Sequence, residues 1–288
     1  MMMKWQTPVA EGKCSVPLRA GDEIMVLGSC FADETGRRLA ECGLDVCVNP
    51  FGTLYNPVSV CNSISRLQCG VPFTREDCVE MGAGAGLVCS FSHHTSFARP
   101  TPETFLEHAN AALETASARW KSASKVLITL GTAWCWRHLP EGEIVSNCLK
   151  RPAGEFSRER LTVPQTAALL KSLVQRYPDK FFVFTVSPIR HLSDGAHGNQ
   201  VSKSILLLAL EEVCAAFPDR TVYFPAYEIL LDELRDYRFY AEDMVHPSLQ
   251  AAEYVFGKFL SFAFPDEERS RLEERRKAFK ASQHRPMH

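Results

Sequence analysis

Residues 23–32 read EIMVLGSCFA, and the fold turns on them. Ile24, Met25, Val26 and Leu27 form an unbroken apolar run of strand length. Gly28 and Ser29 end it, and residues of helical period follow at once. A strand with no polar alternation is one buried on both faces, as in a parallel sheet covered by helices. Over residues 32–42 the helical pattern sets Ala32, Thr35, Leu39 and Ala40 along one side, with Arg37, Arg38 and Glu41 turned outward. Gly43 stops that helix.

The same unit recurs along the chain. Residues 44–50 (LDVCVNP), 125–131 (KVLITLG), 181–188 (FFVFTVSP) and 221–226 (TVYFPA) read as four further strands. Helices are expected over 56–69, 102–120, 163–177, 199–216 and 247–262, each in place for a crossover connection. This alternation predicts an α/β fold, a three-layer α/β/α sandwich around a central five-stranded parallel sheet. Residues 1–265 are expected to form one domain. Two stretches break the rhythm, near 71–100, with a Gly/Ala run and paired histidines, and near 133–157, with Trp134, Trp136 and Asn147. Both read as insertions over the carboxyl edge of the sheet, where such folds place their ligand crevice. The segment 266–288 mixes both charge signs and is expected to be a solvated terminal helix and tail.

With 288 residues, 45% hydrophobic and 23% charged, the chain has the material for a substantial core. A net charge of −2 gives no reason to expect nucleic acid or an anionic membrane surface as partner. Residues 1–23 lack the apolar centre of a signal peptide, and no stretch approaches the roughly 18 apolar residues of a membrane span, so a cytoplasmic protein is expected. Eleven cysteines are present, an odd number, and no two have zinc-ribbon spacing. Cys47, Cys61, Cys89, Cys135 and Cys214 lie in apolar runs and read as buried free thiols.

Two segments carry the candidate chemistry. Ser29 stands at the end of the first strand and the start of a helix, where unpaired amides and the helix dipole favour negative charge. It reads either as a nucleophile, with an oxyanion donor in its own N–H, or as a helix cap. Asp243 and His246, in EDMVHP after the fifth strand, have the spacing in which a carboxylate orients an imidazole as general base; a capping or surface pair has the same spacing. Parallel-strand topology brings both segments to one sheet edge. Cys30 is the competing nucleophile, since a helix start also activates a thiol.

From these residues the chain resembles the GSCFA family, a branch of the SGNH (GDSL-like) hydrolase superfamily. The likeness covers 27–57 (LGSCFADETGRRLAECGLDVCVNPFGTLYNP), 130–134 (LGTAW), 147–152 (NCLKRP), 185–195 (TVSPIRHLSDG) and 243–247 (DMVHP). It implies a flavodoxin-like sheet of SGNH hydrolase type and a serine hydrolase with Ser29 as nucleophile and Asp243 and His246 as partners. It also implies that Gly52 gives an N–H to the oxyanion, a role that competes with that of a turn glycine at positive φ. The superfamily's G-x-N-D block places an asparagine donor where Ala133 stands here. Thr132, Asn56, Asn147 and Trp134 are the candidate substitutes.

His94 and His191 are candidate substrate contacts. Neither they nor His93 have acidic partners at ligand spacing, so no metal is expected. Arg190 fits either a substrate carboxylate or phosphate, or an ion pair with Asp194. Phe51, Tyr55, Trp134 and Trp136 suit an apolar or sugar-bearing ligand, or the core. The combined expectation is a cofactor-free serine esterase acting on a small-molecule ester, such as an acylated carbohydrate. An acyltransferase with the same triad, or a binding protein that keeps the fold without turnover, are the alternatives.

Overall fold

A computed structural model describes residues 7–283. Five strands form the central sheet: β1 (Glu23–Gly28), β2 (Asp45–Val48), β3 (Lys125–Leu130), β4 (Phe181–Val186) and β5 (Thr221–Tyr223). All neighbouring pairs are parallel, in the spatial order 2-1-3-4-5. The order reverses between β1 and β3, so the crevice of this doubly wound sheet lies beyond the carboxyl ends of those two strands. Ser29 follows β1 directly.

Alternate residues of each strand feed two separate cores. Met25, Leu27, Val126, Ile128, Leu130, Phe182, Phe184 and Val186 face one; Ile24, Val26, Leu127, Phe181 and Val183 face the other. The first core is closed by α2 (Pro57–Cys69), α3 (Pro102–Ser122), α4 (Val163–Arg176) and α5 (Gly195–Ala216). The second is closed by α1 (Cys30–Glu41), α6 (Leu249–Ala263) and α7 (Asp266–Gln283). Burial on both faces is the reason the three inner strands β1, β3 and β4 are almost continuously apolar, while the edge strands β2 and β5 are only partly buried.

The helix starts follow local chemistry. Asn56, Thr101, Thr162 and Ser248 each accept a backbone N–H of the helix they precede, and α2, α3 and α4 carry proline in their first turn. The segment 71–100 holds a two-stranded antiparallel sheet (Val79–Glu80 with Val88–Cys89). A three-stranded one (Glu143–Val145, Trp134–His138, Phe156–Arg160) follows β3. A short irregular helix occupies 226–233.

Two expectations are corrected. Arg38 is 1% exposed and Glu41 is buried, whereas Ala40 is exposed. The cause is α6 and α7, which lie against this side of α1: Arg276 of α7 pairs with Glu41 (2.8 Å) and with Glu253 of α6 (2.6 Å), and Arg38 pairs with Glu34 and Glu253. The terminal helix is largely exposed, as expected, but it is also docked on α1 through Arg276 and through Leu272, its one buried residue, in the second core. Positions 284–288 of the expected tail lie outside the described residues. All eleven cysteines are free, but Cys47 and Cys214 are only partly buried. Among the described residues no helix is long and apolar enough to cross a membrane.

Candidate active site

The Gly28-Ser29 turn is dictated by sterics. Gly28 has φ +129°, and a Cβ there would fall 2.0 Å from the Thr129 carbonyl oxygen on β3. Only glycine fits. Ser29 then adopts an extended backbone and caps α1, its hydroxyl accepting from Phe31 N at 3.3 Å. Its own N–H donates to Thr129 O at 3.1 Å. Cys30 is engaged elsewhere, with Sγ 3.4 Å from the Tyr55 hydroxyl. Burial, aided by that thiol, pushes the Tyr55 phenol up to about 12.

Behind the turn stands Asn49, which the sequence did not mark. Its Oδ1 accepts from Gly28 N at 2.8 Å and its Nδ2 donates to Asp33 Oδ1 at 2.6 Å. Burial raises the Asp33 carboxyl, while the Asn49 bond and nearby His94 oppose the rise.

Residues 241–247 bring the dyad to the same edge. Asp243 Oδ1 accepts from the N–H groups of Val245 and His246, both at 2.9 Å, and Oδ2 lies 2.6 Å from His246 Nδ1. The His246 N–H first, then its ring and the Val245 N–H, hold the Asp243 carboxyl at about 2. With Nδ1 engaged, Nε2 is the ring nitrogen left for proton transfer. Arg190 fastens this loop beyond β4: its N–H donates to Val245 O (3.1 Å) and its Nη1 to Met244 O (2.9 Å).

Serine and dyad share an edge but are not joined. Among the described residues no hydrogen bond links the Ser29 hydroxyl to His246. Ser29 is 1% exposed, while the side chains of His246 and Asp243 are 47% and 50% exposed. The oxyanion donors are also largely spent. Gly52, at φ +80°, donates its N–H to Asn49 O at 2.8 Å, so its turn role holds and the donor role is not available in this geometry. Thr132 donates its N–H to Tyr55 O (3.0 Å), and its hydroxyl bonds Ser202 (2.9 Å) and Trp134 N (3.1 Å). Asn56 is consumed in capping α2 through Ser59. Asn147 accepts from Leu149 N through Oδ1, leaving its Nδ2 without a partner among the described residues. The Trp134 indole N–H is buried and unpaired. Trp134 and Asn147 are thus the two proposed substitutes with a donor to spare.

The α5 helix supplies the groups that fix the turn after β3. Ser202 Oγ accepts from Ala133 N at 2.7 Å, and Lys203 Nζ donates to Gly131 O and Ser187 O, both at 2.7 Å. Lys203 has no exposed surface, and burial brings its ammonium down to about 7. His191 packs its ring on Tyr55 with Nε2 buried and unpaired; burial first, then Lys203, Arg158 and His246, lowers it to about 3. His94 caps a short helical turn through Ser96 and stands against Gly52, where a Cβ would meet it at 2.4 Å. His93 and Phe51 are core, in a cluster with Phe73 and Phe105, and burial holds His93 near 3. Asp194 pairs with Arg158, not Arg190, and the Arg158 guanidinium lies over the rings of Trp134 and Trp136.

These features define a doubly wound α/β protein with a helix-capping serine and a carboxylate–imidazole dyad on one sheet edge. The model of the GSCFA family matches residues 23–259, and the chain belongs to that family. No curated protein matches it.

Proposed function

We propose that this protein is a cytoplasmic serine esterase of SGNH (GDSL-like) type, with 71–100 and 133–157 as insertions that shape its crevice. The observation that carries the reading is the Asp243–His246 pair, 2.6 Å apart and anchored by two further N–H bonds on the edge that also presents Ser29. A carboxylate that fixes Nδ1 leaves Nε2 poised as a base, and its solvent-open position suits a loop that closes on substrate. Catalytic hydrogen bonds that are long without substrate commonly tighten in the Michaelis complex.

The chemistry follows from these groups. Ser29 Oγ attacks the acyl carbonyl while its proton passes to His246 Nε2, and Asp243 steadies the imidazolium. The C–O bond to the alcohol breaks and His246 returns the proton to the leaving oxygen. Water, deprotonated by His246, then attacks the acyl carbonyl, the C–O bond to Ser29 breaks, and His246 returns the proton to Ser29 Oγ. Trp134 Nε1 and the Asn147 amide are the side-chain donors left for the oxyanion, since the Ser29, Phe31 and Ala32 N–H groups at the start of α1 are already bonded. No cofactor enters. A small-molecule ester such as an acylated carbohydrate is the substrate class, and capture of the acyl-enzyme by a sugar hydroxyl gives the transferase variant.

A second reading, binding without turnover, is favoured by the burial of Ser29 and the commitment of the Gly52 and Ser29 N–H groups. One experiment separates the two: short-chain nitrophenyl esters and a fluorophosphonate probe with wild type, Ser29→Ala and His246→Gln. Hydrolysis and labelling lost in both variants support the esterase. Turnover that survives Ser29→Ala, or is absent throughout, removes it.

A further inference from the structure

Beside the dyad lies a cavity of about 560 Å³, walled by the end of β4, α5 and the 226–240 segment. That volume suits a small molecule. It shares a wall with the proposed active site, because Arg190 lines it and also bonds the carbonyl of Met244, between Asp243 and His246. Neither Ser29 nor His246 belongs to the lining, so the cavity is a place for a ligand's non-reacting part.

Its chemistry is selective. Arg190 has no carboxylate partner among the described residues; Asp194, its expected mate, is held by Arg158. One guanidinium N–H group is spent on Met244 O, and the plane lies 5.4 Å from the centre of the Tyr240 ring. The remaining N–H groups form the fork that a carboxylate fills. The other lining cation, Arg235, is tied to Asp232 at 3.5 Å, and Asp236 adds a further negative charge. The lining charges thus balance, and Arg190 is the lining's one guanidinium without a carboxylate partner among the described residues, which makes room for a single anionic group. Tyr237, 69% exposed, and Tyr240, with ring centres 6.3 Å apart, give an aromatic wall for the face of a ring. The side-chain amide nitrogens of Asn199 and Gln200, also in the lining, have no partner among the described residues, because both residues use their oxygens, toward His191 N and the Tyr227 hydroxyl. Such donors suit hydroxyl groups.

We propose that this cavity binds a hydroxylated ring bearing a single carboxylate, as an acidic sugar does, with the carboxylate on Arg190 and the ring against Tyr237 and Tyr240. The proposal rests on the esterase reading only in making this ring part of the ester substrate. The ligand site itself stands apart from turnover.

The test is calorimetric titration with phenyl β-glucuronide and phenyl β-glucoside, which differ at the carboxylate and contain no ester. Wild type and Ser29→Ala are expected to bind the glucuronide about 10- to 100-fold more tightly, the range of a charge-assisted hydrogen bond. Arg190→Gln brings the glucuronide down to the glucoside's affinity and leaves the glucoside unchanged. Tyr237→Ala, at an exposed position with little bearing on folding, weakens both ligands by a similar factor. Equal or absent binding of the two ligands by wild type, or a preference that persists in Arg190→Gln, overturns the proposal. A preference that holds while no ester is cleaved through Ser29 refutes the esterase and keeps the site; cleavage without the preference does the reverse.

Discussion

Lys203 Nζ donates to the Gly131 carbonyl at 2.7 Å from a side chain with no exposed surface, and it bridges to Ser187 O at the end of the next strand. An ammonium inside the protein with carbonyls but no carboxylate as partners is a costly group. It is retained where it ties together the carboxyl ends of β3 and β4. The turn after β3 keeps its shape through this bridge and through Ser202.

The Lys203 bridge makes stability depend on alkaline pH. Burial lowers this ammonium from 10.5 to about 7, so between those values the unfolded chain holds a proton that the folded protein has released. Stability therefore rises with pH across that window, by at most about 1.4 kcal/mol per unit. Lys203→Met lacks the slope and leaves two carbonyls unpaired, a loss of about 1–3 kcal/mol for each. Urea unfolding at pH 7 and pH 9 should show the gap between wild type and variant widening by up to about 2.7 kcal/mol. A constant gap means that Lys203 does not titrate there.

Asp243 should stay ionised wherever activity is measured. Its carboxyl, held at about 2 by the His246 and Val245 bonds, contributes to order in the loop above pH 4 and loses that contribution as pH falls toward 2. The acid limb of kcat/KM for nitrophenyl acetate should accordingly follow a single proton. Asp243→Asn should lower kcat by about 10³- to 10⁴-fold through the wrong imidazole tautomer. A two-proton acid limb would show that the carboxylate titrates in the working range.

Gly28→Ala puts a methyl group 2.0 Å from a backbone oxygen at φ +129°. Backbone strain and overpacking together should cost about 2–5 kcal/mol, with the α1 start displaced. Thermal unfolding reads the loss. A change below about 1 kcal/mol would mean that β1 and β3 separate more easily than their register implies.

Cys30 offers a control on the nucleophile. Its thiol is occupied with Tyr55, so Cys30→Ala should keep nitrophenyl ester turnover within about threefold and retain fluorophosphonate labelling. Iodoacetamide inactivation that maps to Cys30 in wild type, with no effect of fluorophosphonate, would transfer the role to sulfur.

The sheet was legible because its inner strands β1, β3 and β4 are near-continuous apolar runs whose burial needs no partner to be guessed, and the edge strands β2 and β5 follow them in the alternation. The α1 face was not. Arg38 and Glu41 look solvent-directed by period; Glu34 and Arg37 on α1 pair with them locally, but their burial depends on α6 and α7, more than two hundred residues later, which add Glu253 and Arg276. The Asp243–His246 contact follows from three-residue spacing. Asn49, Ser202 and Lys203 escaped because each acts on a backbone atom far away in the chain, a relation no local pattern encodes. Spacing misled at Arg190 and Asp194, where Arg158 from the strand 156–160 takes the carboxylate.

The family match stops at residue 259, yet the chain continues into a helix whose Leu272 and Arg276 grip the far end of the segment that begins at Ser29. Trimming the protein to its matched span would strip a clasp from that segment, leaving Arg38 and Glu41 to face water they are not arranged to meet. The carboxyl terminus thus acts as a brace for the proposed nucleophile from the opposite pole of the molecule, and a shortened version should be cut no earlier than residue 276.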